Sequence, residues 1–285
     1  MSVNGSEVTV RVPATSANLG AGFDSLGLAL SLYDEVSARF ADETTVAIEG
    51  EGSGTLPRDG SHLIVSSMWT AWREWGEPVR PVALRCVNVI PQARGLGSSS
   101  AAIVAGVVLA SALSGRSTPN TESLRLAAAI EGHPDNVAPC LLGGFTIAWS
   151  NGDAWAVRVP TADGVVPVVY VPDLRGLTAH ARAALPGRVL HTDAAFNLAR
   201  SALMVHAMSS DPDLLFEATD DRLHQQYRAS TMPRSVEAVA TLRSRDIPAA
   251  ISGAGPSVLA FTDAPPLLDG FTAHTVSVAN GAALI

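Results

Sequence analysis

The stretch Pro91-Gln92-Ala93-Arg94-Gly95-Leu96-Gly97-Ser98-Ser99-Ser100-Ala101 runs directly into the apolar segment from Ala102 to Leu113, so a glycine and serine loop opens onto a helix. Such a junction suits an anion. Successive loop N–H groups converge on it, and the first helical turn adds unpaired donors and the positive end of its macrodipole. Glycine is needed where a Cβ would block the approach. The same string also makes an ordinary helix cap, and by itself it does not choose between the two.

Two further segments decide it. An alternating strand, Val8-Thr9-Val10-Arg11-Val12, leads into Pro13-Ala14-Thr15-Ser16-Ala17-Asn18-Leu19-Gly20-Ala21-Gly22-Phe23-Asp24-Ser25-Leu26-Gly27. Near the other end, Ile251-Ser252-Gly253-Ala254-Gly255-Pro256-Ser257-Val258 sets a glycine turn between apolar strands. In this order and at these distances the three segments resemble the three signature motifs of the GHMP kinases, and among those the homoserine kinases. The resemblance continues through Glu131-Gly132-His133-Pro134-Asp135-Asn136-Val137-Ala138-Pro139 and Thr178-Ala179-His180-Ala181-Arg182-Ala183-Ala184-Leu185-Pro186.

Composition bounds the rest. A chain of 285 residues, 47% hydrophobic and 16% charged, supports one large or two modest domains with real cores. No apolar stretch is long enough to cross a bilayer and the first residues do not read as a signal peptide, which predicts a cytoplasmic protein without membrane partners. Cys86 and Cys140 lack metal-ligand spacing and read as reduced core thiols. All 19 cations are arginine and the net charge is −8, which argues against nucleic-acid binding. Without lysine, any cationic contact to phosphate or carboxylate must come from the planar guanidinium fork.

Periodicity predicts strands over Val8 to Val12, Tyr33 to Phe40, Thr44 to Ile48, Val82 to Val89, Gly143 to Trp149 and Val165 to Val171, with a hairpin turn at Ser150 to Asp153. Helices are predicted over His62 to Trp75, Ser98 to Leu113, Thr121 to Ile130, Thr192 to Met208, Pro212 to His224 and Ser235 to Arg245. The pattern is that of an α+β protein with its cleft between two packed halves. The resemblance implies more: the GHMP kinase fold, with a ribosomal-protein-S5-like nucleotide-binding domain over residues 1–160 and a ferredoxin-like domain over 161–285.

The family resemblance also assigns roles. The expected activity is ATP-dependent phosphorylation of the L-homoserine side-chain hydroxyl, a step of threonine biosynthesis. Pro91, Arg94, Gly95, Leu96, Gly97, Ser98, Ser99 and Ser100 would wrap the ATP phosphates. Gly253 and Gly255 would close on them from the other half, and Ser99, or its neighbour Ser98, would help hold Mg²⁺. Asn18 and Asp24 would bind the amino end and hydroxyl-bearing chain of the substrate, while Arg182 and Arg228 clamp its carboxylate. Thr178 and His133 would line that pocket and Asp135 would orient it. Asn136 stands where some relatives carry a catalytic aspartate, and an amide cannot act as a general base, so alignment and charge stabilisation would carry the transfer. The resemblance also implies a homodimer.

One departure stands out. The glutamate expected to hold Mg²⁺ falls at Ala129, within Ala127-Ala128-Ala129-Ile130-Glu131, and two helical positions turn a side chain through roughly 200°. Glu131 would then face away. This leaves two other readings open: an enzyme acting on an O-substituted or related amino acid without kinase chemistry, and a non-catalytic binder on the same scaffold.

Overall fold

A computed structural model describes residues 7–118, 120–174 and 178–285, the side chains of residues 178–180 excepted. Strands β1 (Val8–Ala17) and β2 (Leu26–Phe40) form a long antiparallel pair. Strand β3 (Thr45–Gly50) is followed by helix α1 (Leu63–Glu74), strand β4 (Val82–Asn88) and helices α2 (Ser98–Leu113), α3 (Asn120–Glu131) and α4 (Val137–Leu142). The hairpin β5 (Phe145–Asn151) and β6 (Asp153–Val159) then turns at Gly152, whose φ of +81° suits glycine. These six strands build one sheet with β5 hydrogen-bonded to β2, and β3 against β4 is its parallel pair.

Strand β7 (Pro167–Pro172) begins a second sheet. It is followed by α5 (Thr178–Ala183), α6 (His191–Ser209), α7 (Leu215–Ala218), α8 (Gln225–Arg228) and α9 (Pro233–Arg243). Strands β8 (Ala249–Ile251), β9 (Val258–Phe261) and β10 (Phe271–Thr275) complete the antiparallel order β10-β7-β9-β8. The chain then returns to the first sheet, where β11 (Ala283–Leu284) pairs with β1 and isolated bridges join Leu30 to Val278 and Gly143 to Asn280. Among the described residues no helix is long and apolar enough to cross a membrane.

The expected helices and strands are present, with three corrections. Alternation ends at Val12, yet β1 continues to Ala17, buried on both faces after a register shift between Pro13 and Ala14. Two-sided burial erases the period of two from which a strand is read. The helix expected over Pro212 to His224 is broken: a 3₁₀ turn covers Pro212–Leu214, and α7 ends at Ala218. The Thr219 hydroxyl donates back to the carbonyls of Leu215 and Phe216, while the Asp221 carboxylate gathers the N–H groups of Leu223, His224 and Gln225. Both side chains offer the backbone an alternative to continuing the helix. Third, the Glu131-to-Pro139 motif runs into the first turn of α4, where the proline at position 139 needs no donor.

Helix α2 is apolar nearly all round, and a helix of that kind belongs inside. It crosses α1 closely at Gly106, where a Cβ would lie 2.7 Å from the Ile64 carbonyl oxygen. Its loop is anchored upstream by Asp34 on β2, whose Oδ1 accepts the N–H groups of Val89 at 2.6 Å and Ile90 at 2.8 Å.

Burial lifts the Asp34 carboxyl from its ordinary 3.8 to about 6; the two N–H groups oppose the shift and the Glu51 carboxylate adds to it. The folded chain binds this proton more tightly than the unfolded chain. Asp34 therefore favours folding below pH 3.8, and that contribution is lost as pH rises to about 6. Asp34→Asn keeps an acceptor for both N–H groups but has no proton to gain. Urea melts at about pH 4 and about pH 7 should show wild type losing up to roughly 3 kcal/mol relative to the variant as pH rises. Parallel behaviour of the two proteins would show that folding does not shift the titration of Asp34.

Candidate active site

The loop before α2 bends through left-handed residues Ala93, Gly95 and Gly97, with φ of +54°, +73° and +68°. Its glycines are set by contact. A Cβ on Gly95 would lie 2.3 Å from the Ser252 carbonyl oxygen, and one on Gly97 would lie 1.9 Å from Thr15 Oγ1. Thr15 N–H donates to Leu96 O, and Ser257 N–H donates to Arg94 O. The Ser252 hydroxyl contacts both Gly95 O, at 2.6 Å, and Ser16 Oγ, at 2.8 Å. Ser252 is the donor in both, its one hydroxyl hydrogen shared between Gly95 O and Ser16 Oγ. No side chain caps α2, so its first N–H groups open onto the cleft beside Ser98 and Ser99.

One cleft is lined by Asn18, Asp24, Arg94, Gly95, Leu96, Gly97, Ser98, Ser99, His133, Asp135, Asn136, Arg182, Arg228 and Gly253, with Ala93, Glu131 and Ala254 alongside. Three of the described candidates fall outside this lining. Pro91 opens the loop, Ser100 is buried behind it, and Gly255 packs beneath it against Ser252. Thr178 starts α5, but its side chain lies outside the described residues. Arg94 reaches away from the loop to donate to the Pro172 and Asp173 carbonyls.

The sequence reading of Ala129 is corrected here. Ala129 is exposed, and Glu131, roughly 200° further round the helix, faces inward. Its carboxylate accepts the Ser99 hydroxyl at 2.8 Å and the Ser100 hydroxyl at 2.9 Å. The two positions do lie on opposite faces of α3, and the one that meets the loop is 131, not 129.

Opposite the loop, Arg182 donates two parallel bonds to the Asp24 carboxylate, at 3.0 and 2.8 Å. This pairing holds Arg182 firmly protonated. Asp24 has a φ of +54° and Asn18 of +70°, and the Asn18 side chain joins them by accepting Asp24 N–H and donating to Gly253 O. Arg228 is 2% exposed; burial, and then the Arg182 charge, press its basicity downward. The Phe23 ring lies beneath both guanidinium groups, 5.8 Å from Arg182 and 5.4 Å from Arg228. His133 Nδ1 meets the buried Asp135 carboxylate at 2.6 Å, and that hydrogen bond raises the histidine's basicity against the effect of burial. Thr15 donates to Asn136 Oδ1 at 2.8 Å.

Sequence motifs 62–144 and 201–271 match the models described as "GHMP kinases N terminal domain" and "GHMP kinases C terminal". The chain is 55% identical to the homoserine kinase of Streptomyces avermitilis over 261 residues, covering 90% of this chain and 86% of that one. The chain belongs to the homoserine kinase family of GHMP kinases. The homoserine kinase of Clavibacter michiganensis subsp. michiganensis is 48% identical over 92% of this chain and 84% of its own. The crystal structure of homoserine kinase from Cytophaga hutchinsonii superposes with a TM-score of 0.85 at 25% identity, covering 100% of this chain and 99% of that one.

Within this homoserine kinase family member, sequence reasoning missed Thr15, Phe23 and His224 as parts of the site. Thr15 and Phe23 lie inside the quoted first motif, but neither bears a charge or an amide that would single it out. His224 gave only a weak signal, standing four residues before Arg228 on the start of a short helix.

Gly97→Ala would force a methyl into Thr15 as well as a left-handed backbone, a strain of about 1–3 kcal/mol or more. The variant is expected to bind a non-hydrolysable ATP analogue at least about tenfold more weakly by calorimetric titration. Gly115→Ala supplies the control, because Gly115 has a similar φ of +65° and a Cβ there would meet nothing. Equal affinities in both variants would show that the contact with Thr15 does not shape the loop.

Proposed function

We propose that this chain transfers the γ-phosphoryl group of ATP to the side-chain hydroxyl of L-homoserine, giving O-phospho-L-homoserine and ADP. The observation that carries the proposal is the meeting, in one cleft, of a glycine and serine anion loop with a pocket of paired opposite charges. Asp24 and Arg182 form an ion pair that is half open to solvent, with side chains 36% and 46% exposed. Such a pair contributes little stability, about 0–1 kcal/mol, and is readily exchanged. An amino-acid zwitterion can replace it group for group, its ammonium going to Asp24 and its carboxylate to Arg182 and Arg228. Asn18 holds Asp24 in its unusual backbone conformation for that task.

ATP suits the loop because its polyphosphate needs N–H donors and backbone approach, and Gly95 and Gly97 allow both. The oxygen pair of Ser99 and Glu131 suits Mg²⁺, a hard cation that takes few protein ligands and fills its shell with phosphate oxygens and water. The ion would neutralise charge on the β- and γ-phosphates. Glu131 also removes the motive for a non-kinase reading, which rested on Ala129.

The substrate hydroxyl oxygen forms a bond to the γ-phosphorus as the bond to the bridging oxygen of ADP breaks, and the hydroxyl proton passes to a phosphoryl oxygen and then to solvent. Asn136 has its Oδ1 engaged by the Thr15 hydroxyl, so it presents its amide N–H groups to the reacting oxygens. His133 and Asp135 complete the wall between this point and the carboxylate clamp. Positioning and electrostatic stabilisation carry the rate.

Phosphorus NMR of the protein with ATP, Mg²⁺ and L-homoserine should show O-phosphohomoserine forming at an ordinary enzymic rate; ATP consumption without that product would sink the proposal. Glu131→Gln is expected to lower turnover by about 100-fold and raise the Mg²⁺ requirement. Ala129→Glu, on the exposed face, should change little. The reverse ranking of these two variants would return Ala129 to the metal site.

A further inference from the structure

His224 is completely buried at the start of α8. Its ring contacts three parts of the candidate site. Nε2 lies 2.7 Å from the Gly20 carbonyl oxygen, Nδ1 lies 3.3 Å from Arg228 Nη1, and the ring stacks on Phe23 with centroids 5.2 Å apart. The partners fix its tautomer. A carbonyl can only accept, so Nε2 carries the hydrogen and donates; a guanidinium can only donate, so Nδ1 accepts.

The remaining bonds of Arg228 show what this achieves. Nε donates to Ala181 O at 3.2 Å, and Nη1 donates to Gly253 O at 3.2 Å as well as to His224. Among the described residues Nη2 has no hydrogen-bond partner, and Arg228 lines the cleft. The guanidinium plane is thus set on two sides, leaving one edge for a ligand. At its other nitrogen His224 holds the turn from Gly20 that ends in Phe23 and Asp24. One imidazole therefore sets the distance between the cation and the anion that would receive the two charges of a zwitterion.

We infer that His224 is a positioning residue for the amino-acid substrate, acting through its acceptor bond from Arg228 and its donor bond to Gly20. This rests on the function proposed above. It touches neither the anion loop nor the Ser99 and Glu131 oxygens, so its influence should fall on amino-acid binding and spare ATP.

Three variants separate its contacts. His224→Phe keeps the stack on Phe23 and loses both hydrogen bonds. His224→Gln can place a donor near the Nε2 position but loses the acceptor for Arg228. His224→Asn places an acceptor near the Nδ1 position. Steady-state kinetics with L-homoserine and ATP varied in turn should show KM for homoserine rising about tenfold or more in the Phe and Gln variants, the scale of a lost hydrogen bond to a charged group. KM for ATP should stay within about twofold, and the Asn variant should recover most of the loss.

A KM for homoserine unchanged in the Phe variant would overturn the assignment, as would an equal rise in the KM values of both substrates. If the Phe variant does not fold, the Gln and Asn variants decide: equal homoserine KM in those two overturns it. Wild type run alongside tests the function itself. Failure of wild type to phosphorylate homoserine overturns the function and this assignment together, whereas wild-type turnover with unaffected variants overturns the assignment alone.

Discussion

Three backbone turns meet at a spacing that leaves no room for a Cβ, and the arrangement of the cleft follows from that meeting. Gly95 lies against Ser252, Gly97 lies against Thr15, and Gly253 N–H donates to the carbonyl of Ala17. Each of the three motifs thus touches the other two, though they are far apart in sequence. A backbone that close to another must satisfy its own polar groups locally, which is why Ser16, Ser252 and Thr15 are buried hydroxyl residues and not aliphatic ones. The glycine and serine loop is consequently held by the same contacts that fix the Asn18 to Asp24 turn, and the distance between that loop and the Asp24–Arg182 pair is set by packing.

The two arginines of the cleft differ in kind although their chemistry is identical. Arg182 sits on a short helix, half exposed, and can trade one carboxylate for another at little cost. Arg228 is buried, held by two carbonyls and a histidine, and rests on an aromatic face. Withdrawing it from water is tolerable only because its donors are met and carboxylates stand nearby. One arginine rests on a half-open ion pair; the other is fixed in place by its buried partners.

The sequence revealed the cleft better than it revealed the path of the chain. Motif residues carry their reason locally: Gly97 needs a left-handed backbone, and Ser98 to Ser100 open a helix. Most of them line one cavity. What escaped depends on tertiary contact. Strand β1 beyond Val12 is buried on both faces and shows no alternation. The helix expected to reach His224 is stopped by Thr219 and Asp221, whose side chains compete for backbone groups in a way that apolar spacing does not record. Glu131 was present in the motif, but which side of α3 faces inward is set by the packing of Leu124, Ala127 and Ala128, and counting residues could not supply it.

The return of the chain after β10 has a consequence for how the protein is made. Ala279 N–H donates to Ala29 O, Gly144 N–H to Ala279 O, and Ala282 N–H to Cys140 O, so the last described segment is stitched into the first sheet. During synthesis the first sheet must therefore wait, its inner strands formed but this seam open, until residues 279–284 have left the ribosome. Domain-by-domain maturation behind the advancing chain is closed to this topology. Until then the nascent chain carries an unfinished edge, and the segment after β10 acts as the clasp.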